Sequence, residues 1–204
     1  MTSENNIEYT KISLRKALEE DNPRIVFLLG QLYLEMYIDK IIVLVFSSNF
    51  NITNVLNQTL DSENFTYKMK INLLKDIFKE IIKNCSDNSH LKSFLLKHRK
   101  SILNDMEIIG NIRNAFQHNL YYSKAISKLN NNTGKFFNLK TKLKDYRTLP
   151  PLLMDFKKIV IPLQDSLIYI LISLMELASD GTKLKSFGKM PAVSKQDAQQ
   201  ETIC

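Results

Sequence analysis

Arg113 and His118 lie five positions apart and are the residues of this chain best suited to chemistry. An imidazole gains and loses its proton near neutral pH, so a histidine can act as a base or an acid under physiological conditions. A guanidinium stays charged and binds anionic oxygens through paired N–H groups. Nowhere else does the sequence combine a cation at the edge of an apolar stripe with such a proton carrier.

The predicted helix over residues 102–120 places Arg113 within its apolar arc, near the edge, when each residue turns by 100°. An unpaired buried charge is too costly to keep, so this arginine needs an anion or a polar cleft. Glu35 and Asp39, on a narrow polar stripe of a largely apolar predicted helix, are candidate partners. A substrate phosphate is the third.

His118 falls on the opposite, polar arc of the same helix, one turn after Asn114. A polar helical face is usually only solvated, so this placement alone does not favour a functional role. Arg113 and His118 are separated by about 140° around a straight helix. They converge if the helix bends, if the arginine reaches around, or if a second subunit closes the site. We expect a cleft between two subunits.

The composition predicts an all-α fold, because hydrophobic residues make up 44% of the chain and glycine and proline number only five each. We expect one domain over residues 1–180, with a core over 23–122 and 152–178, and a disordered tail over 181–204. The helices are predicted at 7–20, 23–46, 67–83, 90–122 with a break near Asn104, and 152–178. A turn at 130–134 between alternating apolar residues permits a short β-hairpin around 134–147.

Several classes of protein are not expected. Cys85 and Cys204 are the only cysteines, so a disulfide framework or a cysteine-rich metal site is not indicated. No phosphate-binding glycine loop or serine nucleophile motif is present, and no metal or cofactor is predicted. The N-terminus lacks a signal-peptide pattern, so a cytoplasmic location is expected. Residues 159–177 are long enough for a membrane span, but interrupting polar residues and Pro162 favour a buried helix or an oligomer interface.

The net charge of +7 is concentrated in residues 123–150, which hold seven basic side chains against one acid. Such a local positive field suits a polyanion such as RNA. A solvated, lysine-rich loop explains the same pattern. The lysines predicted to bind RNA are Lys124, Lys128, Lys135 and Lys140.

The segment from Arg113 to His118 resembles the signature of HEPN domains, in which an arginine and a polar residue are followed by three variable residues and a histidine. Residues 30–39 resemble the acidic central helix of the mannitol-repressor-like branch of that superfamily. Residues 67–74 resemble the helix that precedes the signature in the same branch. The resemblance covers about residues 23–122, and the helix at 152–178 would complete a HEPN-like bundle.

The resemblance implies a metal-independent endoribonuclease of the toxin or defence type. His118 would be the general base or acid when an RNA 2′-hydroxyl attacks the adjacent phosphate, and Arg113 would bind that phosphate. Asn114 would orient the histidine or the phosphate, and Glu35 would position Arg113 or share in proton transfer. The products would be a 2′,3′-cyclic phosphate and a 5′-hydroxyl. The protein would be a homodimer without a cofactor.

The chain also departs from the HEPN toxins. Those controlled by a nucleotidyltransferase antitoxin often have a tyrosine two residues after the histidine, whereas this chain has Leu120 there. An antitoxin partner of that kind is therefore in doubt. The alternative is a non-catalytic regulator or binding module resembling the mannitol operon repressor. A third interpretation is a structural helical protein in which Glu35 neutralises Arg113.

Overall fold

The computed structural model describes residues 13–47, 58–62, 65–86, 89–119, 121–133 and 149–179. These residues form five helices: α1 (Pro23–Ser47), α2 (Tyr67–Asn84), α3 (His90–Gln117), α4 (Tyr122–Thr133) and α5 (Leu149–Ser179). Short helical segments also cover 13–17 and 58–60. No β-strand occurs in the described part of the chain, so the predicted all-α class is confirmed.

Some predictions concern residues outside the described ranges. They are the β-hairpin around 134–147, the tail over 181–204, and the first part of the helix predicted at 7–20. Lys135 and Lys140 also lie there.

The predicted break near Asn104 is wrong, because α3 continues through this position and ends at Gln117. The chain interrupts its helical course after His118 and begins α4 at Tyr122. The side-chain amide of Asn119 donates to the backbone oxygen of Ala115 over 2.6 Å. An asparagine side chain that bonds the last turn offers the backbone an alternative to continuing the helix.

α1 is the central helix and packs against α2, α3 and α5. Its Phe27 contacts Phe116 of α3, with ring centroids 4.6 Å apart, and Phe156 of α5, with centroids 4.9 Å apart in an edge-on arrangement. All three rings are buried. The start of α1 is thereby held against the end of α3, which carries Arg113 and His118.

α5 begins three residues earlier than predicted and includes prolines in its first turn, where a missing backbone N–H costs no hydrogen bond. One face of this helix is buried against the core, including Leu163, Leu167 and Leu171. Among the described helices, α5 alone is long and apolar enough to span a membrane, and 44% of its most apolar window is buried inside the fold.

Gly30 lets α1 and α5 approach closely. A Cβ atom at this position would lie 2.8 Å from both Cε1 and Cζ of Phe156, inside normal contact distance. We expect Gly30→Ala to lower the free energy of unfolding by about 1–3 kcal/mol, because the buried ring must move out of its packed position. Urea unfolding followed by circular dichroism measures the change.

The control for this substitution is Asn72→Ala, at an exposed position of α2. Alanine has the higher helix propensity, so this variant should be as stable as the unchanged chain or slightly more stable. Equal stability of Gly30→Ala and Asn72→Ala would show that the packing of α1 on α5 is looser than described.

Candidate functional site

Arg113 lies half-buried near the end of α3. Its Nη1 donates a hydrogen bond of 3.1 Å to Oδ1 of Asn114. Its Nε is buried and has no hydrogen-bond partner, and within the described residues Arg113 forms no ion pair. Among the described residues, the side-chain partner of the Arg113 guanidinium is therefore a neutral amide and not a carboxylate. A cation in this state retains hydrogen-bonding capacity for an anionic ligand.

His118 lies at the end of α3 with its side chain exposed. Its backbone N–H donates to the backbone oxygen of Asn114 over 3.3 Å. Asn114 is thus bonded to Arg113 through its side chain and to His118 through its backbone. Arg113 and His118 could converge through a bent helix, a long reach by the arginine, or a second subunit. The bond from Arg113 to Asn114 favours the second of these, since Asn114 lies on the same side of α3 as His118.

Glu35 lies apart from this group and binds Lys70 of α2. The distance from Lys70 Nζ to Glu35 Oε1 is 2.8 Å, and the same ammonium lies 2.9 Å from Asp39 Oδ2. Gln31 donates to the other oxygen of Glu35 over 3.4 Å. Both acids that were candidate partners of Arg113 are therefore partners of Lys70. The expected pairing of Arg113 with Glu35 or Asp39 does not form.

The ammonium of Lys70 accounts for this arrangement. Its side chain is only 4% exposed, and an isolated buried ammonium would be very unfavourable. The sequence carries a signal for this position, because Lys70 shares the helical face of Leu74, Ile77 and Ile81, which all pack into the core. A lysine on the buried face of an amphipathic helix indicates a buried ion pair.

Burial also shifts the acid–base properties of this cluster. Desolvation raises the pKa of Asp39 to about 6, although the hydrogen bond and charge of Lys70 act in the opposite direction. Desolvation lowers the pKa of Lys70, but the bonds to Glu35 and Asp39 outweigh it and leave the pKa above its ordinary value. Burial raises the pKa of Tyr67 as well, and its hydroxyl donates to the backbone oxygen of Met106 over 3.4 Å.

Arg24 is a second cation near His118 that the sequence did not reveal. Its Nη2 donates to the backbone oxygen of Asn119 over 2.8 Å, and its guanidinium carbon lies 5.0 Å from the ring centroid of Tyr122. Arg24 belongs to the start of α1, which is 95 residues away along the chain from Asn119. Only the packing of α1 against the end of α3 brings the two together.

The lysines predicted to bind RNA are described in part. Lys124 and Lys128 are exposed on α4, and the ammonium of Lys124 lies 5.4 Å from the ring centroid of Tyr121. Their exposure leaves them accessible to a polyanion. Among the described residues, no group of three or more histidine, cysteine, aspartate or glutamate side chains could hold a metal ion.

No protein-family model, curated protein or solved structure matches this chain. The resemblance to HEPN domains therefore depends on the sequence segments quoted above and stays a prediction.

The pKa of Asp39 predicts a pH-dependent contribution to stability. Because this pKa is higher in the folded chain than the ordinary value of 3.8, the folded state binds the proton more tightly between these values. The contribution of Asp39 to the free energy of unfolding is therefore complete below about pH 3.8 and is lost as the pH rises through about 6. Unfolding in urea should show the unchanged chain losing stability relative to Asp39→Asn between about pH 4 and pH 7.

Asp76→Asn provides the matched control, since this aspartate is exposed on α2. It should follow the unchanged chain across the same pH range. Parallel stability curves for the unchanged chain and Asp39→Asn would contradict the raised pKa.

Proposed function

We propose that this protein is a metal-independent endoribonuclease of the HEPN type, with its site at the end of α3. The observation that supports the proposal is the state of Arg113. Its guanidinium bonds a neutral amide, its buried Nε has no hydrogen-bond partner, and the two candidate acids, Glu35 and Asp39, are bound by Lys70. A cation that has no carboxylate partner among the described residues, on the same end of α3 as an exposed histidine, suits a phosphodiester.

His118 and Arg113 divide the chemistry. His118 accepts the proton of the RNA 2′-hydroxyl, and the 2′-oxygen then forms a bond to the adjacent phosphorus. The bond between phosphorus and the 5′-oxygen breaks, and that oxygen takes its proton from the imidazolium of His118 that formed in the first step. Arg113 stabilises the charge on the non-bridging oxygens, and Asn114 holds the guanidinium. The products are a 2′,3′-cyclic phosphate and a 5′-hydroxyl.

Other residues assist through charge and structure. Lys124 and Lys128 are exposed on α4 and extend the positive surface along the RNA backbone. Glu35, engaged by Lys70, is assigned to holding α1 and α2 together in place of its expected role beside Arg113. The proposed location is the cytoplasm, and no cofactor is required.

The proposed assembly is a homodimer formed through an apolar stripe on α1. The stripe consists of Ile25, Leu28, Leu32 and Met36, each between 39% and 43% exposed. Their spacing places them along one side of the helix, and a row of apolar side chains is complementary to a copy of itself across a twofold axis. The stripe begins next to Arg24, which touches the segment after His118. A dimer of this kind would bring the two sites near each other.

A second candidate function is a non-catalytic regulator resembling the mannitol operon repressor. The same exposed stripe on α1 favours it, because exposed apolar rows are typical of protein-binding surfaces. In that case the stripe would hold another protein, and RNA would not be cleaved.

Cleavage of RNA by the purified protein tests the catalytic assignment. His118→Ala and Arg113→Ala should each reduce the cleavage rate by about 100-fold or more, because each removes a group that acts on the reacting phosphate. Cleaved ends should carry a cyclic phosphate and a 5′-hydroxyl, and EDTA should leave the rate unchanged. His90→Ala, an exposed histidine at the other end of α3, is the matched control and should keep full activity.

Two outcomes would contradict the nuclease. One is cleavage at the same rate by the unchanged protein and His118→Ala. The other is intact RNA with every variant, which would favour the regulator.

The double variant Leu28→Glu, Leu32→Glu tests the assembly. Four introduced charges on a twofold interface would repel one another across the axis and should convert a dimer into a folded monomer. Size-exclusion chromatography with light scattering measures the mass. The control Leu96→Glu changes a leucine that is 56% exposed on α3 and should leave the dimer intact. A monomeric unchanged protein, or a double variant that still dimerises, would exclude this interface.

A further inference from the structure

Tyr121 presents an aromatic ring to solvent directly after the candidate site. It is 65% exposed, whereas Tyr122 beside it is 38% exposed. The ammonium of Lys124 lies 5.4 Å from the ring centroid of Tyr121, within range of a cation–π interaction. The chain thus displays an aromatic surface and a positive charge together, three residues beyond His118.

The backbone that carries this ring is held by several hydrogen bonds. The carbonyl oxygen of Tyr121 accepts from the backbone N–H groups of Lys124 and Ala125, at 3.1 and 3.2 Å, and so closes the first turn of α4. Arg24 contacts Tyr122 on one side and the oxygen of Asn119 on the other. The carbonyl of Tyr121 thus belongs to the first turn of α4, and Arg24 connects that turn to the end of α3.

Contacts within the fold explain the position of the Tyr122 ring but not that of the Tyr121 ring. Tyr122 lies 5.9 Å from the ring of Phe116 and under the guanidinium of Arg24, so its ring has a structural role. Within the described residues, the Tyr121 ring interacts with the exposed Lys124. That ring has a large free surface and a cation that can also reach a phosphate.

We propose that Tyr121 and Lys124 form a subsite that stacks an unpaired nucleobase and binds its neighbouring phosphate. The inference rests on the proposed function in taking RNA as the ligand, and it specifies the class of RNA as single-stranded. A tyrosine ring stacks on any base, since every base has a flat π-face, and the lysine provides the charge for the backbone.

Duplex RNA does not fit this subsite. A paired base already has neighbours on both faces, and the deep, narrow major groove of an A-form helix excludes side chains. An unpaired nucleotide in a loop or at an end can place its base on Tyr121 while its neighbouring phosphate contacts Lys124. The subsite therefore selects unpaired segments without reading a particular sequence.

The test measures binding separately from cleavage. His118→Ala protein is titrated into an eight-nucleotide 2′-O-methyl RNA, which lacks the attacking hydroxyl and carries one 2-aminopurine as a fluorescent base. Adding Tyr121→Ala should raise the dissociation constant about 10- to 100-fold, since a base loses its stacking partner. Tyr121→Phe should bind within about twofold of the parent protein, because stacking needs the ring and not the hydroxyl.

Two controls accompany the titration. Tyr169→Ala removes a tyrosine that is 38% exposed on α5 and stacks on Phe94, and it should bind the oligonucleotide like its parent. The same sequence in a blunt duplex should bind at least tenfold more weakly than the single strand. Circular dichroism of each variant confirms that it is folded.

Each result supports or overturns the stacking subsite. Unchanged affinity in Tyr121→Ala, equal losses in Tyr121→Phe and Tyr121→Ala, equal binding of duplex, or no binding at all would overturn it. The proposed nuclease is judged by cleavage with the unchanged protein. Binding that depends on Tyr121 without any cleavage would support the subsite and reject the nuclease. Cleavage that depends on His118, with unchanged binding in Tyr121→Ala, would support the nuclease and reject the subsite.

Discussion

The ion pairs of Lys70 with Glu35 and Asp39 are the interaction on which the candidate site depends. A lysine that is 4% exposed requires anionic partners. Glu35 and Asp39 lie 2.8 and 2.9 Å from its ammonium, and Asp39 provides its charge above its raised pKa of about 6. The consequence extends beyond the junction of α1 and α2. Glu35 and Asp39 pair with Lys70 and not with Arg113, whose guanidinium bonds the amide of Asn114. The pairing of Arg113 with Glu35, which the third interpretation assumed, is absent because Glu35 pairs with Lys70.

The general architecture could be predicted because it follows from local periodicity. Apolar residues repeat at helical spacing, and α1 and α2 end within one residue of their predicted bounds. The end of α3 could not be placed in the same way. It depends on Asn119, whose side chain bonds the last turn and whose backbone oxygen accepts from Arg24, which is distant in the chain. A contact between helices that are far apart in sequence decides this boundary, and periodicity carries no information about it.

In the candidate site, too, local features could be predicted and contacts between distant helices could not. Arg113, Asn114 and His118 are neighbours in the sequence, so their common position at the end of one helix could be predicted. The partner of Glu35 could not, since two cations compete for it and only the packing of three helices selects Lys70. A lysine on the buried face of α2 was a readable signal. Arg24 had no such signal, because its position beside the site follows from the aromatic packing of Phe27 against Phe116.

The central claim is that Arg113 is free to bind a phosphate and that His118 lies close enough to share the ligand. Nuclear magnetic resonance of the guanidinium Nε–H and of the imidazole tests it directly, with resonances assigned by Arg113→Lys and His118→Gln. Adding a 2′-O-methyl RNA that cannot be cleaved should shift both resonances with the same apparent dissociation constant. Unshifted resonances at saturating RNA, or a shift of His118 without Arg113, would contradict the account.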